Sequence, residues 1–374
     1  MKEKSRQLRH GYTTGVCAAA AAKAGAILLR GFLADGGAGT GVSDVRICLP
    51  GGKLVKIAIS ETKVLTKGRS PETYAAVLKD AGDDPDVTDG LEIVARVRLI
   101  EGEKGVVIKG GTGVGVVTGP GLQVRAGEPA INPVPCRMIR DAVRGVIPEG
   151  GVEVEISVPG GEEVAEKTFN PRLGIVGGIS IIGTTGIVVP MSVDALKATI
   201  RCEIDVAYEE AKPRDSKPGI EDSKPLFLVP GKIGEDAVKA LFGDIRIVQM
   251  SNFVGHALSY ASKRGFRNIA LGGHPGKLAK ILMGYYDTHS KNSPQAKEFV
   301  ADFLGVRGDF NTVEEIVRSR ENAAGADCNE RKKTLSDLAR EIARKINDDF
   351  GFKSTIVCLF DMKKNLIGEG IWVG

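Results

Sequence analysis

The chain has 374 residues and a formal charge of +4, from 51 basic and 47 acidic side chains. That balance argues against a protein held to nucleic acid by bulk electrostatics, with a local basic patch left open, and 5% aromatic residues argue against a stacking surface for single strands. The length supports two domains and a large core, and the 49 glycines follow no collagen period, so they are read as turns and close backbone approaches.

Six cysteines, Cys17, Cys48, Cys136, Cys202, Cys328 and Cys358, form no CxxC pair and have no His at zinc spacing. Free thiols in a reducing cytoplasm are expected, and no metal site. Lys2, Lys4, Arg6 and Arg9 precede an alanine-rich run from Cys17 to Leu29 in the outline of a signal peptide, but Lys23 interrupts it and alanine supplies its apolar character. No run of about 20 apolar residues is seen. A cytoplasmic protein without a membrane partner is expected, and homo-oligomerisation is left open.

Gly11-Tyr12-Thr13-Thr14-Gly15 leads into a helix over Ala18 to Leu29 with Thr13 or Thr14 at its N-cap. Hydroxyls and free N–H groups at a helix start hold anions, so both threonines are candidate ligand contacts; the alternative is a capped, buried helix. Cys17 reads as a small packed residue. Val45 to Leu49 and Leu54 to Ile59 form a hairpin about Pro50-Gly51-Gly52-Lys53. Lys79 to Gly90 is dense in carboxylates, but the twelfth position from Asp80 is Leu91 where a calcium hand needs Glu. A solvated, turn-forming loop is expected.

Gly110 to Gly115 has glycine spacing near a dinucleotide fingerprint, but Val116 to Gly121 carries strand and turn chemistry where a helix is required. Gly127 to Pro135 reads as an extended approach to a helix whose apolar face is Met138, Ile139, Ala142, Val143 and Val146. Arg137, Arg140 and Arg144 share the opposite face at i, i+3, i+7: a solvated basic stripe, or a clamp for a substrate with several carboxylates. Glu153 to Val158 alternates as a strand. Ile175 to Met191 is apolar and Gly-rich, as in buried strands joined by tight turns. Ser192-Val193-Asp194 caps a helix from Ala195 toward Glu209, and Lys212 to Lys224 is a charged, proline-bearing linker.

Pro225 to Leu282 then repeats one pattern three times: apolar strand, Gly-rich turn, helix. Leu226 to Val229 enters Pro230-Gly231-Lys232-Ile233-Gly234; Ile245 to Val248 enters Gln249-Met250-Ser251-Asn252; Ile269 to Leu271 enters Gly272-Gly273-His274-Pro275-Gly276-Lys277. Such alternation implies a parallel sheet whose strand ends share one ligand cleft. Helices over Glu298 to Phe303, Val313 to Arg320 and Thr334 to Phe350, and a closing hairpin over Thr355 to Val373, complete the chain. The expected fold is an α+β N-terminal domain (1–211), a linker (212–224) and an α/β, Rossmann-like C-terminal domain (225–374) with a mainly parallel sheet.

Four irregular blocks, Gly11 to Ala24 (GYTTGVCAAAAAKA), Lys79 to Gly90, Gly127 to Pro135 and Asn170 to Ser192, together with VQMSNFVGHAL and GGHPGKLAKI, occur in the order of one family. The chain resembles the CbiD family of the anaerobic cobalamin pathway from about Leu8 to Lys291. The resemblance implies S-adenosyl-L-methionine as cofactor and cobalt-precorrin-5B as substrate, methylated at C1 to give cobalt-precorrin-6A. Three positions depart from the family pattern: Asp89 where His is frequent, Val189 where Arg commonly precedes Pro-Met-Ser, and Pro275 in place of an aliphatic residue.

Methyl transfer from a sulfonium is an in-line displacement, so the protein must hold two ligands in line and exclude water. The expected cofactor contacts are Gly231, Gly234, Ser251, Asn252, Gly272 and Gly273. The expected substrate contacts are Thr13, Thr14, Arg137, Arg140 and Arg144. Among His10, His256, His274 and His289, only His274 lies in a glycine turn at a strand end, where it is a candidate base for the proton released from the macrocycle; the alternative is a backbone hydrogen bond in the turn. No acid ends the second strand to hold ribose hydroxyls, where Gln249, Ser251 and Asn252 stand instead. The competing functions are a non-catalytic tetrapyrrole carrier and a phosphate-binding α/β enzyme using Gly276-Lys277, although the complete P-loop pattern is absent.

Overall fold

Residues 8–35, 41–67, 70–212, 224–322 and 333–374 are described in the computed structural model. The chain divides into two units, Met1–Val193 and Asp194–Gly374. The division precedes the expected one because the helix Val193–Ala211 buries Ile200, Ile204 and Ala207 in the core of the second unit. The expected linker falls largely on residues 213–223, outside the described residues.

The first unit runs β1 (Gly11–Tyr12), α1 (Thr14–Asp35), β2 (Asp44–Cys48), β3 (Leu54–Ala58), β4 (Glu61–Lys67), β5 (Ser70–Leu78), β6 (Glu92–Ile100), β7 (Gly105–Gly110), β8 (Val116–Val117), α2 (Pro133–Arg144), β9 (Gly151–Ser157), α3 (Gly161–Ala165), β10 (Ile175–Val176) and β11 (Ile187–Val188). Its main sheet has the order β4-β5-β6-β9-β7, antiparallel except for the β7–β9 pair. Helix α1 packs on this sheet and on α2. Alanine makes that possible: Ala18 to Ala22, Ala24 and Ala26 are fully buried, and a Cβ on Gly25 would lie 2.7 Å from Val97. By length and composition the segment Thr14–Ala34 is apolar enough to cross a membrane, contrary to the expectation that no such run exists; in this unit it is the core helix.

The expected hairpin is present as β2–β3. Helix α2 starts earlier than expected, because Pro133 and Pro135 occupy its first turn after Asn132, where a missing N–H costs no helical bond. After Gly110 the chain turns and enters β8 with no helix, as the sequence requires. The 175–191 stretch differs from expectation. It forms only the two-residue strands β10 and β11, and its buried Ile179 and Ile181 are tied by single bridges to Val114 and Ile131. Its glycines break the ladder before it extends.

The second unit runs α4 (Val193–Ala211), β12 (Leu226–Val229), α5 (Lys232–Phe242), β13 (Ile247–Gln249), α6 (Val254–Arg264), β14 (Asn268–Gly273), α7 (Pro275–Leu282), α8 (Lys297–Leu304), α9 (Val313–Asn322), α10 (Leu335–Phe350), β15 (Ser354–Phe360) and β16 (Leu366–Val373). Its sheet order is β13-β12-β14-β15-β16, parallel through β15, with β16 antiparallel at the edge. All three strand–turn–helix repeats form. Strands buried on both faces read as continuous apolar runs, as Leu226 to Val229 does. Helix α10 is fixed at its start by a capping box of Thr334 and Asp337.

Candidate active site

From β12 the chain steps outward to β13, then crosses back over β12 to β14, so the strand order reverses between β12 and β14. A parallel sheet opens a crevice at such a point, beyond the carboxyl ends of the strands. A pocket of about 190 Å³ lies there, lined by Gly231, Ile233 and Gly234 after β12, Gly273, His274 and Lys277 at and beyond the end of β14, and Phe360 and Met362 at and beyond the end of β15. Its size is below the roughly 300–1,000 Å³ of whole small-molecule sites, so it accommodates one end of a larger ligand.

The candidate cofactor residues divide by what surrounds them. A Cβ on Gly231 meets no atom within 4 Å, so this residue faces open space. Gly234 lets α5 approach β14, since a Cβ there would be 2.8 Å from the Gly272 carbonyl oxygen. Gly272 does not line the pocket; a Cβ on it would lie 2.3 Å from Val238 and 3.2 Å from Phe360, so it serves helix–sheet packing. Ser251 and Asn252 lie outside the pocket: Ser251 takes a positive φ of 52° in the turn after β13, and the Asn252 carbonyl accepts from the Thr288 N–H at 3.0 Å. The Gln249 side chain donates to Glu235 at 2.6 Å.

His274 caps α7. Its Nδ1 accepts from the Gly276 N–H at 3.1 Å, and its Nε2 lies 3.2 Å from a Glu314 carboxylate oxygen. That bonding assigns the proton to Nε2 and leaves neutral His274 no free lone pair with which to take a proton from a substrate. Glu314 also accepts from Arg318 and from the Met362 N–H. Pro275 stands at the start of α7, where its ring is favourable, so this departure leaves the turn intact.

In the first unit a cavity of about 540 Å³ lies between the β2–β3 hairpin and α2, and Arg137 lines it together with Lys23, Arg46, Asp141 and apolar Leu54 and Met138. Three cations face one acid. Arg140 is exposed on the same helix and does not line the cavity. Arg144 turns past the helix end, where it donates to the carbonyls of Ile147 (3.1 Å) and Gly150 (2.8 Å) and so holds the loop that follows α2. Spacing alone put the three arginines on one face; the carbonyls beyond the helix end divide them. Lys23 and Arg46 gave no motif, and no local signal marked Glu314.

The CbiD family model matches residues 1–190. The cobalt-precorrin-5B C(1)-methyltransferase of Thermoanaerobacter sp. (strain X514) is 41% identical over 348 residues, which span 92% of this chain and 89% of that protein. The chain belongs to the CbiD family. The protein of the same name from Methanocaldococcus jannaschii is 39% identical over 377 residues, 98% of each chain. A solved cobalamin biosynthesis protein (cbiD) from Archaeoglobus fulgidus is 29% identical, covering 78% of this chain and 84% of that one, with a TM-score of 0.38.

The irregular blocks that carried the CbiD resemblance in the first unit fasten to one another. The Thr14 hydroxyl donates to the Ser180 carbonyl at 3.1 Å and accepts from the Ile182 N–H at 2.9 Å, which makes Thr14 a buried clamp between α1 and the 170–192 stretch. Thr13 packs against Gly183, where a Cβ would come within 2.2 Å of its hydroxyl. The acidic loop is turn-forming with Asp80, Asp83 and Asp89 exposed, as expected, but its carboxylates also bind protein. Asp80 pairs with Arg9, Asp83 accepts from the Arg9 N–H, Asp84 from the Met191 N–H, and Asp89 from the Ala81 N–H. Asp86 meets the buried Lys79 ammonium at 2.7 Å. Burial pushes the Asp86 carboxyl up, but hydrogen bonds from Lys79 and Thr88 outweigh it and hold the group below the usual carboxylate range. Among the described residues no three His, Cys, Asp or Glu side chains converge to hold a metal ion. Burial raises the Cys17 thiol to about 12, which makes it a packed residue rather than a nucleophile.

Proposed function

We propose that this chain methylates C1 of cobalt-precorrin-5B with S-adenosyl-L-methionine, giving cobalt-precorrin-6A, and that the donor binds at the β12/β14 pocket of a Rossmann-like second unit. One observation carries the reading: in a chain of a family whose curated relatives are named as methyltransferases, the pocket lies where the strand order of the parallel sheet reverses. Gly231, Gly234 and Gly273 form its glycine wall, and Ile233, Phe360 and Met362 give it apolar surface that excludes water.

The substrate's carboxylates are assigned to the first-unit cavity, with Arg137, Lys23 and Arg46 as contacts and Arg140 beside them; Arg144, Thr13 and Thr14 hold structure instead. Guanidinium groups bind carboxylates in two-pronged fashion, which suits a ligand with several of them. His274 fixes the turn and is not the proton acceptor. Catalysis is then largely a matter of position, as an in-line displacement at a sulfonium permits. A cytoplasmic setting accords with the free thiols.

The test uses purified protein, labelled S-adenosyl-L-methionine and cobalt-precorrin-5B, with transfer of label to the macrocycle expected. Gly231→Leu puts a side chain where a Cβ meets no atom within 4 Å and should weaken donor binding at least about tenfold, or about 1.4 kcal/mol, at an unchanged melting temperature. His274→Gln should keep turnover within about threefold. Absence of transfer by the wild-type chain sinks the reading.

A further inference from the structure

The β12/β14 pocket contains two ammonium groups in unlike circumstances. Lys232 is exposed and paired, 3.1 Å from Asp236 and 3.5 Å from Glu235. Lys277, in the first turn of α7, is partly buried in the pocket wall. Among the described residues no carboxylate lies within ion-pair distance of it. Glu314, the acid that meets the His274 cap of this helix, is held by His274, Arg318 and the Met362 N–H. The next lysine on the helix, Lys280, adds a like charge, although its own ammonium is satisfied by the Thr288 carbonyl and the Ser293 hydroxyl, each at 3.0 Å.

A partly desolvated cation beside a second cation is unfavourable until an anion joins it. Burial pushes the Lys277 ammonium below the ordinary lysine range and Lys280 adds to the effect, as expected of a charge without a counterion. Apart from Lys232, paired with Asp236 and Glu235, and His274, tied to Glu314 and the Gly276 N–H, the wall is glycine, proline and apolar surface, so an anionic group entering the pocket has Lys277 as its available charged partner. The sulfonium donor carries one anionic group, its α-carboxylate.

We propose that Lys277 binds the α-carboxylate of the sulfonium donor, so that the amino-acid end of the donor is the end that enters the pocket. This deepens the donor-site reading and rests on it. The ammonium forms a charge-assisted hydrogen bond with the carboxylate, and the carboxylate neutralises the charge that α7 otherwise carries unpaired.

Calorimetric titration of the full chain tests this with two probes, S-adenosyl-L-methionine and its decarboxylated analogue, which keeps the sulfonium and lacks the anion. Lys277→Gln should weaken the intact donor about 10- to 100-fold. It should leave the analogue's affinity unchanged, and Lys277→Arg should retain most of the donor's affinity. Equal loss for both probes, or loss for neither, overturns the assignment to Lys277 while the pocket reading stands. Unaltered donor affinity in Gly231→Leu overturns the pocket reading and the Lys277 assignment with it. Circular dichroism and melting of each variant separate these results from misfolding.

Discussion

The loops of the first unit and the turns of the second are both rich in glycine, but Gly113 and Gly231 use it in opposite ways. In the first unit Gly113 takes φ +73°, and a Cβ on it would lie 1.8 Å from the Val158 carbonyl oxygen; Gly161 and Gly178 pack against its backbone in turn. There, glycine lets chain meet chain. In the second unit Gly231 meets nothing, and its neighbours line a pocket. Charged groups differ too: the carboxylates of the 79–90 loop all bind protein, while Lys277 of the β12/β14 pocket has no carboxylate within ion-pair distance among the described residues. At Gly231, unlike Gly113, the space beside the backbone is empty and open to a ligand.

The sharpest way to break this contrast is a pair of alanine substitutions. Gly113→Ala should destabilise the first unit by more than about 4 kcal/mol, through a backbone clash and a strained left-handed conformation. Gly231→Ala should change stability by no more than about 1 kcal/mol. Urea unfolding reads both, and similar costs at the two positions would erase the distinction.

A smaller effect is expected where the acidic loop closes on Lys79. Asp86→Asn leaves a buried ammonium without its partner and should cost about 3 kcal/mol at pH 7. Because the folded Asp86 carboxyl is held below its unfolded value, its contribution is fully present above the ordinary carboxylate range near about pH 4 and is lost as pH falls through the lower, folded value. Unfolding curves from pH 7 to pH 3 should thus lose stability in the wild type more steeply than in Asp86→Asn. Parallel slopes would show that Asp86 does not carry this linkage.

The smallest effects divide one helix. Arg144→Gln removes the bonds to the Ile147 and Gly150 carbonyls and should cost about 1 kcal/mol of stability with substrate affinity intact. Arg137→Gln should do the reverse, weakening cobalt-precorrin-5B binding about tenfold at unchanged stability. Loss of substrate affinity in both variants would restore the stripe as one functional face.

Family membership was legible in the irregular blocks, whose loops serve no general periodicity and so are specific. The second unit's elements were legible too. A strand, a turn and a helix are each set by residues within a few positions, and the capping box before α10 or the Asp361 turn between β15 and β16 is local chemistry. The candidate site was legible only as a place. Gly231, Gly234, Gly273 and His274 do line the pocket, but Gly272 packs against Val238, and Ser251 and Asn252 lie outside it.

The sequence by itself determined the three repeats, the direction of their strands and hence the edge on which a ligand would lie, because hydrophobic period and turn chemistry act over a few residues. Tertiary structure alone decided which groups at that edge are free. His274 is tied by Glu314, forty positions away in sequence, Gly272 is closed by Val238 and Phe360, and Lys277 has no carboxylate within ion-pair distance among the described residues. Whether a polar group is spent or available depends on neighbours that only the folded chain brings within 3 to 4 Å.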